Sequence, residues 1–276
     1  MTETVLITGC SSGIGRETAL SFLADGWEVY ATARNPADVE TLGEEGANIA
    51  TLDVTADDDV ERVVSRIVDE HGHVDCLVNN AGYGQPGPVE DVPIEKVHDQ
   101  FDVNLYGPLR LTRAVLPHMR ERGTGTVVNV SSAVGRIAVP GMGIYSGSKF
   151  ALEGVTDSLR GEVAEYGVDA VLVEPGPVDT NFYEHANGEI DGVERSGAYE
   201  RFYQMYGDRQ AVDGGMPGAV SPREVANTIL DAANVQNPDP RYPVGTSAKV
   251  AEYGRLVPAK WRDRLYETFS ELSTSD

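Results

Sequence analysis

The chain has 276 residues, 41% of them hydrophobic, which suits one large α/β core and is short for two complete ones. Its 44 acidic residues outnumber its 22 basic ones, and a net charge of −22 repels phosphate backbones, excluding nucleic acid as a partner class. No stretch reaches the length of a membrane span and the N-terminus lacks a basic leader, so a cytoplasmic chain with no membrane span is expected.

Short β-branched runs alternate with amphipathic stretches over the first two-thirds of the chain, the pattern of βαβ units around a parallel sheet. Val5 to Thr8 reads as the first strand, Gly13 to Ala24 as a helix with Ile14, Ala19, Phe22 and Leu23 on one side, and Trp27 to Ala33 as the second strand. Asn48 to Asp53 is a third strand. Thr55 then reads as the N-cap of a helix carrying Val60, Val63, Val64 and Ile67, with Asp57, Asp58 and Asp59 as favourable charge in its first turn rather than a metal site. Strands follow at Val74 to Asn79, Thr126 to Val130 and Asp169 to Glu174, each apolar enough for burial on both faces. Helices are expected at Pro93 to Val103, at Leu109 to Arg122 and within Tyr145 to Tyr166. Right-handed crossovers then give a single-domain α/β fold over residues 1–276, a Rossmann-type doubly wound parallel sheet flanked by helices. A Gly-rich, aromatic segment at about 181–218 lacks regular patterning and reads as a substrate lid, and C-terminal helices are expected at about 221–272.

Between the first strand and first helix stands Thr8-Gly9-Cys10-Ser11-Ser12-Gly13-Ile14-Gly15. Glycines there let the backbone turn sharply and bring its N–H groups to a pyrophosphate at the helix N-terminus. Tyr145-Ser146-Gly147-Ser148-Lys149 places a phenol and an ammonium four residues apart on one helix face. A free phenol, with a pKa of about 10, is too weak an acid for efficient proton transfer near neutrality, and a neighbouring ammonium favours its ionised form. At the end of the second strand no carboxylate is present to bond an adenosine 2′-hydroxyl; Arg34 stands there instead and can pair with a 2′-phosphate, so NADP(H) is favoured over NAD(H), unless Arg34 is simply a solvated loop residue.

The wide glycine spacing, followed in order by Asn79-Asn80-Ala81-Gly82, Asn104, Ser132, Tyr145, Lys149 and Pro175-Gly176, resembles the short-chain dehydrogenase/reductase family over about residues 3 to 180. The resemblance implies an enzyme acting on CH–OH/C=O groups by hydride transfer, with Tyr145 as general acid/base and Lys149 holding the nicotinamide ribose. Ser132, thirteen positions before Tyr145 and in competition with Ser131, would polarise the reacting oxygen. Asn104 would hold a water in the proton relay, or merely satisfy backbone groups. Gly9, Ser11, Ser12, Gly13, Ile14, Gly15, Asn80, Ala81 and Gly82 would line the cofactor site. Asp53 would meet the adenine or cap the turn before Thr55. Pro175, Gly176, Val178 and Thr180 would approach the nicotinamide carboxamide and diphosphate, with Pro177 stiffening that loop. A homo-dimer or homo-tetramer through the helices at Leu109 to Arg122 and Tyr145 to Tyr166 is implied as well.

Tyr199, Phe202, Tyr203 and Tyr206 recur at helical spacing and form one aromatic face, covering a rather apolar alcohol or ketone or packing on the domain. A loose likeness to hydroxysteroid and retinol dehydrogenases fits the first alternative. Two readings without redox turnover stay open: a non-catalytic dinucleotide-binding sensor or scaffold, and an isomerase or dehydratase on the same fold. Cys10 and Cys76 read as core fillers, and no metal is expected, the His71-Gly72-His73 run before Asp75 reading as a loop. With only four lysines, the acidic composition resembles that of proteins from salt-loving microbes, in which salt screens self-repulsion.

Overall fold

A computed structural model describes residues 2–180, 182–190, 193–204, 218–254 and 256–264. Seven strands form one parallel sheet in the order β3-β2-β1-β4-β5-β6-β7, with β1 Thr4–Ile7, β2 Glu28–Ala33, β3 Asn48–Thr51, β4 Cys76–Asn79, β5 Gly125–Val130, β6 Val168–Pro175 and β7 Arg241–Val244. The order reverses between β1 and β4, so the carboxyl ends of those two strands open a crevice at the switch point.

Alternation along the strands divides the core between two faces. Val5 and Ile7 of β1 face a cluster with Phe22, Val29, Val128, Val171, Val225 and Ile229, covered by α1 (Gly13–Ala24). Leu6 faces the opposite cluster with Leu77, Val127, Val63, Ile67 and Leu111. That side is covered by α3 (Asp57–His71) and α5 (Gly107–Arg122); the short α2 (Glu40–Glu44) and α4 (Ile94–Phe101) lie between strands in sequence. The long α6 spans Gly143–Val163, α7 Phe182–Ile190, α8 Pro222–Asn234 and α9 Thr246–Gly254.

Several expectations are corrected. Thr55 does not cap α3: Ala56 is the cap residue, and the Thr55 hydroxyl instead donates to Asp53 Oδ1 at 2.7 Å. The helix after Pro93 does not run unbroken to Val103, because it widens into a π-helical turn at Asp102–Tyr106 before α5. Part of the irregular 181–218 segment is regular, as α7 and a helical turn at 200–204. The C-terminal helices are interrupted by β7, which Pro243 disguised in the sequence; Pro is tolerated because β7 is an edge strand. Tyr206 and residues 265–272 lie outside the described residues. Cys10 and Cys76 are both buried, and burial pushes the Cys10 thiol up to about 12, far from a reactive thiolate. His73 and His71 turn to different partners, Asp75 at 3.0 Å and the Tyr30 hydroxyl at 2.8 Å. Among the described residues no helix is long and apolar enough to cross a membrane.

Candidate active site

The carboxyl ends of β1, β4, β5 and β6 carry the predicted residues to one edge of the sheet. At β1 the chain turns through Gly9 at φ +71° and Gly13 at φ +55°, conformations that side chains with a Cβ rarely adopt. A Cβ on Gly15 would lie 2.2 Å from the Gly9 carbonyl oxygen, so the first turn of α1 tolerates no side chain there. Asn80 clamps the loop from β4: its Nδ2 donates to the carbonyls of Thr8 at 2.9 Å and Gly9 at 3.1 Å, while Thr8 Oγ1 accepts from the N–H groups of Asn80 and Ala81, each at 3.0 Å. Thr8 is thus a site-building residue, a role its place at the end of β1 does not signal in the sequence.

Ser12 is the cap residue of α1 in extended conformation, and its side chain makes no capping bond. Beside it a cavity of about 310 Å³ is lined by Ser11, Ser12, Gly13, Arg16, Glu17, Asp179, Thr180 and Pro222. The N-terminus of α1, the small residues there and the Arg16 guanidinium fit a diphosphate, while the Glu17 and Asp179 carboxylates oppose one. Arg16 had not been singled out; it lies one position past Gly15, on the first turn of α1, and its Nη1 also donates to Thr41 Oγ1 at 2.9 Å.

Thr180 meets this loop from β6, as a Cβ on Gly13 would come within 3.0 Å of its methyl group. The segment before it is braced by neighbours: Gly176 N–H donates to Val244 O at 2.9 Å, and Val178 forms a parallel bridge with Val220. Arg34 is exposed just past β2 and has no ion pair among the described residues. Its charge reaches Tyr83, whose phenol is pushed up to about 12 chiefly by burial, Arg34 opposing the shift. Asp53 Oδ1 accepts from both the N–H and the hydroxyl of Thr55, at 2.9 and 2.7 Å, the turn-capping role that its chemistry also allowed.

Tyr145 and Lys149 lie one turn apart near the start of α6, both buried, with Lys149 Nζ 5.9 Å from the centroid of the Tyr145 ring. Lys149 Nζ donates to the carbonyl of Val130 at 2.8 Å. Burial of the ammonium pushes its pKa down to about 8, and the Glu153 carboxylate opposes that shift. Asn104 sits in the π-turn, whose extra residue turns it inward: its Nδ2 donates to Tyr83 O at 2.9 Å and Ser148 Oγ at 3.2 Å, and its Oδ1 accepts from Tyr83 N–H at 3.1 Å. A Cβ on Gly82 would lie 3.1 Å from Asn104 Oδ1 and 3.7 Å from Lys149 Nζ, so Gly82, Asn104 and Lys149 converge. Ser132 caps the turn after β5, accepting weakly from Val134 N–H at 3.4 Å and donating toward Pro175 O at 3.5 Å. Such long contacts leave its hydroxyl easily redirected.

An apolar wall faces Tyr145. The ring of Phe182 packs 5.5 Å from that of Tyr145, and a Cβ on Gly84 would meet Phe182 at 2.9 Å and Met142 at 3.6 Å. These three residues had no motif to mark them. Of the aromatic run, Tyr203 is buried with its hydroxyl donating to Asp91 at 2.8 Å, and Tyr199 donates to Glu90 at 2.7 Å. Phe202 lies against Gly141, where no Cβ could fit. The run therefore packs on its own chain through Tyr199 and Tyr203.

Residues 3–190 match the family described as short chain dehydrogenase. The chain belongs to that family. This dehydrogenase is an oxidoreductase acting on CH–OH/C=O groups. It is 34% identical over 273 residues to the uncharacterized oxidoreductase YbbO of Escherichia coli, covering 97% of this chain and 95% of that protein. It is 43% identical to human retinol dehydrogenase 8 over 190 residues, 65% of this chain and 60% of that protein. A short-chain dehydrogenase from Streptomyces avermitilis superposes with a TM-score of 0.80 at 34% identity, covering 100% of this chain and 99% of its own. Serine dehydrogenase complexed with NADP+ follows at TM-score 0.76 and 26% identity, covering 88% and 94%. A Burkholderia phymatum enzyme in complex with NAD has TM-score 0.74 and 25% identity, covering 87% and 88%.

Proposed function

We propose that this enzyme interconverts a carbonyl and an alcohol on a rather apolar substrate, using NADP(H), with Tyr145 as general acid in reduction and general base in oxidation. The observation that carries the reading is the Tyr145–Lys149 pair, buried on one face of α6 and next to Asn104 and Gly82. NADP(H), when bound, supplies or accepts the hydride. Gly9, Ser11, Ser12, Gly13, Ile14, Gly15 and Thr180 hold its diphosphate, Arg34 its 2′-phosphate, and Asp53 its adenine. Asn80, Ala81, Gly82, Pro175, Gly176 and Val178 line the path towards the nicotinamide. Lys149 stabilises the phenolate of Tyr145, Ser132 donates to the oxygen on which charge develops, and Asn104 keeps a water within reach of Lys149. Phe182, Met142 and Phe202 close over the substrate and exclude water, and residues 205–217 of the segment read as a lid lie outside the described residues.

The guanidinium of Arg34, which has no ion pair among the described residues, supports NADP(H), and one solved relative carries NADP+ while another carries NAD. The apolar wall supports an apolar substrate, as does likeness to a relative named for retinol. The enzyme works as a cytoplasmic homo-dimer or homo-tetramer assembled through α5 and α6.

Tyr145→Phe tests the central assignment. Turnover should fall by about 10²–10⁴ while NADPH affinity stays within about twofold of the parent. Turnover is followed as NADPH absorbance against retinal, sterol ketones and simple aldehydes. Retained turnover in the variant, or product formed without stoichiometric NADPH change, would defeat the reading.

A further inference from the structure

Two buried carboxylates and two half-buried guanidinium groups meet where β5, β6 and β7 pack on α6. Glu153 and Glu174 are 3% and 0% exposed, and Arg241 Nη1 donates to Oε2 of the first and Oε1 of the second. Arg241 Nη2 also reaches Asp157 Oδ2 at 2.5 Å. Arg136 completes the group, 3.8 Å from Glu153 Oε2 and 3.6 Å from Glu174 Oε2. Burying two carboxylates against two guanidinium groups is costly, and a well-packed apolar group would serve stability as well or better.

Three of the four members adjoin pieces that carry the site. Glu153 is one turn beyond Lys149 on α6. Glu174 immediately precedes Pro175, whose carbonyl is the acceptor for Ser132 Oγ. Arg136 ends the turn that Ser132 opens, with Gly135 N–H donating to Ser132 O at 2.8 Å. A Cβ on Gly135 would lie 2.8 Å from Ser131 Oγ and 3.2 Å from Glu153 Oε1, so no side chain separates the serine turn from the carboxylate. Glu153 Oε1 has no hydrogen-bond partner among the described residues. Half of that carboxylate is therefore left to act through its field.

We propose that Glu153 is a positioning residue, held by Arg241 and Arg136, that keeps Lys149 in its ammonium form and locks α6 to the Ser132 turn and the Pro175 loop. The proposal rests on the reading of Lys149 as the cation beside Tyr145 and the dinucleotide. Lys149 is faced by Tyr145 and Glu153 on its own helix, by the Val130 carbonyl from β5 and by Asn104 from the π-turn. Glu153 is faced by Arg241 from β7, Arg136 and Ser131 from the end of β5, and Glu174 from β6. A carboxylate one turn away favours the ammonium against its burial, and the two guanidinium groups temper that field. Glu153→Gln removes the negative charge and Arg136→Gln removes a positive one, so the two substitutions must act with opposite sign. A packing defect would give no such opposition.

The test is NADPH binding by the full-length protein, read from nucleotide fluorescence between about pH 7 and pH 10, with melting temperatures recorded alongside. The parent should lose affinity through a high-pH transition as the Tyr145–Lys149 pair sheds its first proton. In Glu153→Gln the midpoint should fall by about one pH unit, and in Arg136→Gln it should rise. Coincident midpoints, shifts in the same direction, or no transition at all would overturn the proposal, and Arg136→Gln alone decides it if Glu153→Gln does not fold. Retained turnover in Tyr145→Phe would count against Tyr145 as the proton donor and leave these midpoints unaffected, so the two failures are distinguishable.

Discussion

Lys149 Nζ donates a 2.8 Å hydrogen bond to the Val130 carbonyl, tying the first half of α6 to the last residue of β5. The same burial that places the ammonium there works against its charge, with a folded pKa of about 8 against 10.5 for an ordinary lysine. Between those values the unfolded chain binds more protons than the native one, so this group's cost to stability is full below about pH 8 and fades as pH rises towards 10.5. Lys149→Met should therefore abolish most turnover and yet raise the melting temperature at pH 7 by a few degrees, the gain shrinking above pH 9. Calorimetry at pH 7 and pH 9.5 checks it; a lower melting temperature at pH 7 would show that the lost hydrogen bond outweighs the buried charge.

Asn104 offers a second measure of how the site is built into the fold. Its buried carboxamide makes three hydrogen bonds, two of them to the backbone of Tyr83. Asn104→Ala leaves those groups unsatisfied, at a cost of about 2–3 kcal/mol. The melting temperature should drop by about 4–8 °C and turnover should fall further than NADPH affinity does. A variant as stable as the parent would mean that water replaces the amide fully.

In the proposed reading cofactor choice turns on Arg34, whose guanidinium has no carboxylate partner among the described residues. Arg34→Glu should weaken NADPH binding by at least about tenfold through repulsion of the 2′-phosphate and leave NADH binding unchanged or tighter. Equal losses for both nucleotides, measured by fluorescence titration, would place the 2′ position elsewhere.

What could be read from the sequence was local or strongly periodic. The Gly-rich loop sits between a strand and a helix, and Tyr145, Ser146, Gly147, Ser148 and Lys149 lie on one helical turn, so spacing alone places their side chains. What stayed hidden depends on contacts between distant segments. β7 is four residues with a proline, and only pairing with Leu172 to Pro175 makes it a strand. The π-turn at Asn104 has no sequence pattern of its own, although it decides where the amide points. Glu153, Glu174, Arg136 and Arg241 are far apart in the sequence and no motif links them; β6 and β7 pair in parallel beside α6 and the turn after β5, and that packing brings them together. The wall of Phe182, Met142 and Gly84 likewise draws on three distant segments.

Glu174 gives the last prediction, because its burial and the neighbouring Glu153 push its pKa up to about 7 from an ordinary 4.5, against the pull of Arg241 and Arg136. A carboxyl group whose folded value is raised binds its proton in the native state where the unfolded chain has lost it. Between about pH 4.5 and pH 7 the native state is therefore the more protonated, and stability rises as pH falls through that window. Acids such as Asp157 and Asp59, held below their usual values by arginine and backbone partners, act in the opposite sense but at lower pH. The melting temperature should thus climb between pH 7.5 and pH 5.5, partly from Glu174 and partly from relief of the net charge of −22. Glu174→Gln isolates the first part: it should be more stable than the parent at pH 7.5, equal to it near pH 5, and show a shallower climb between them. Parallel curves for the two proteins would mean that Arg241 holds Glu174 ionised throughout.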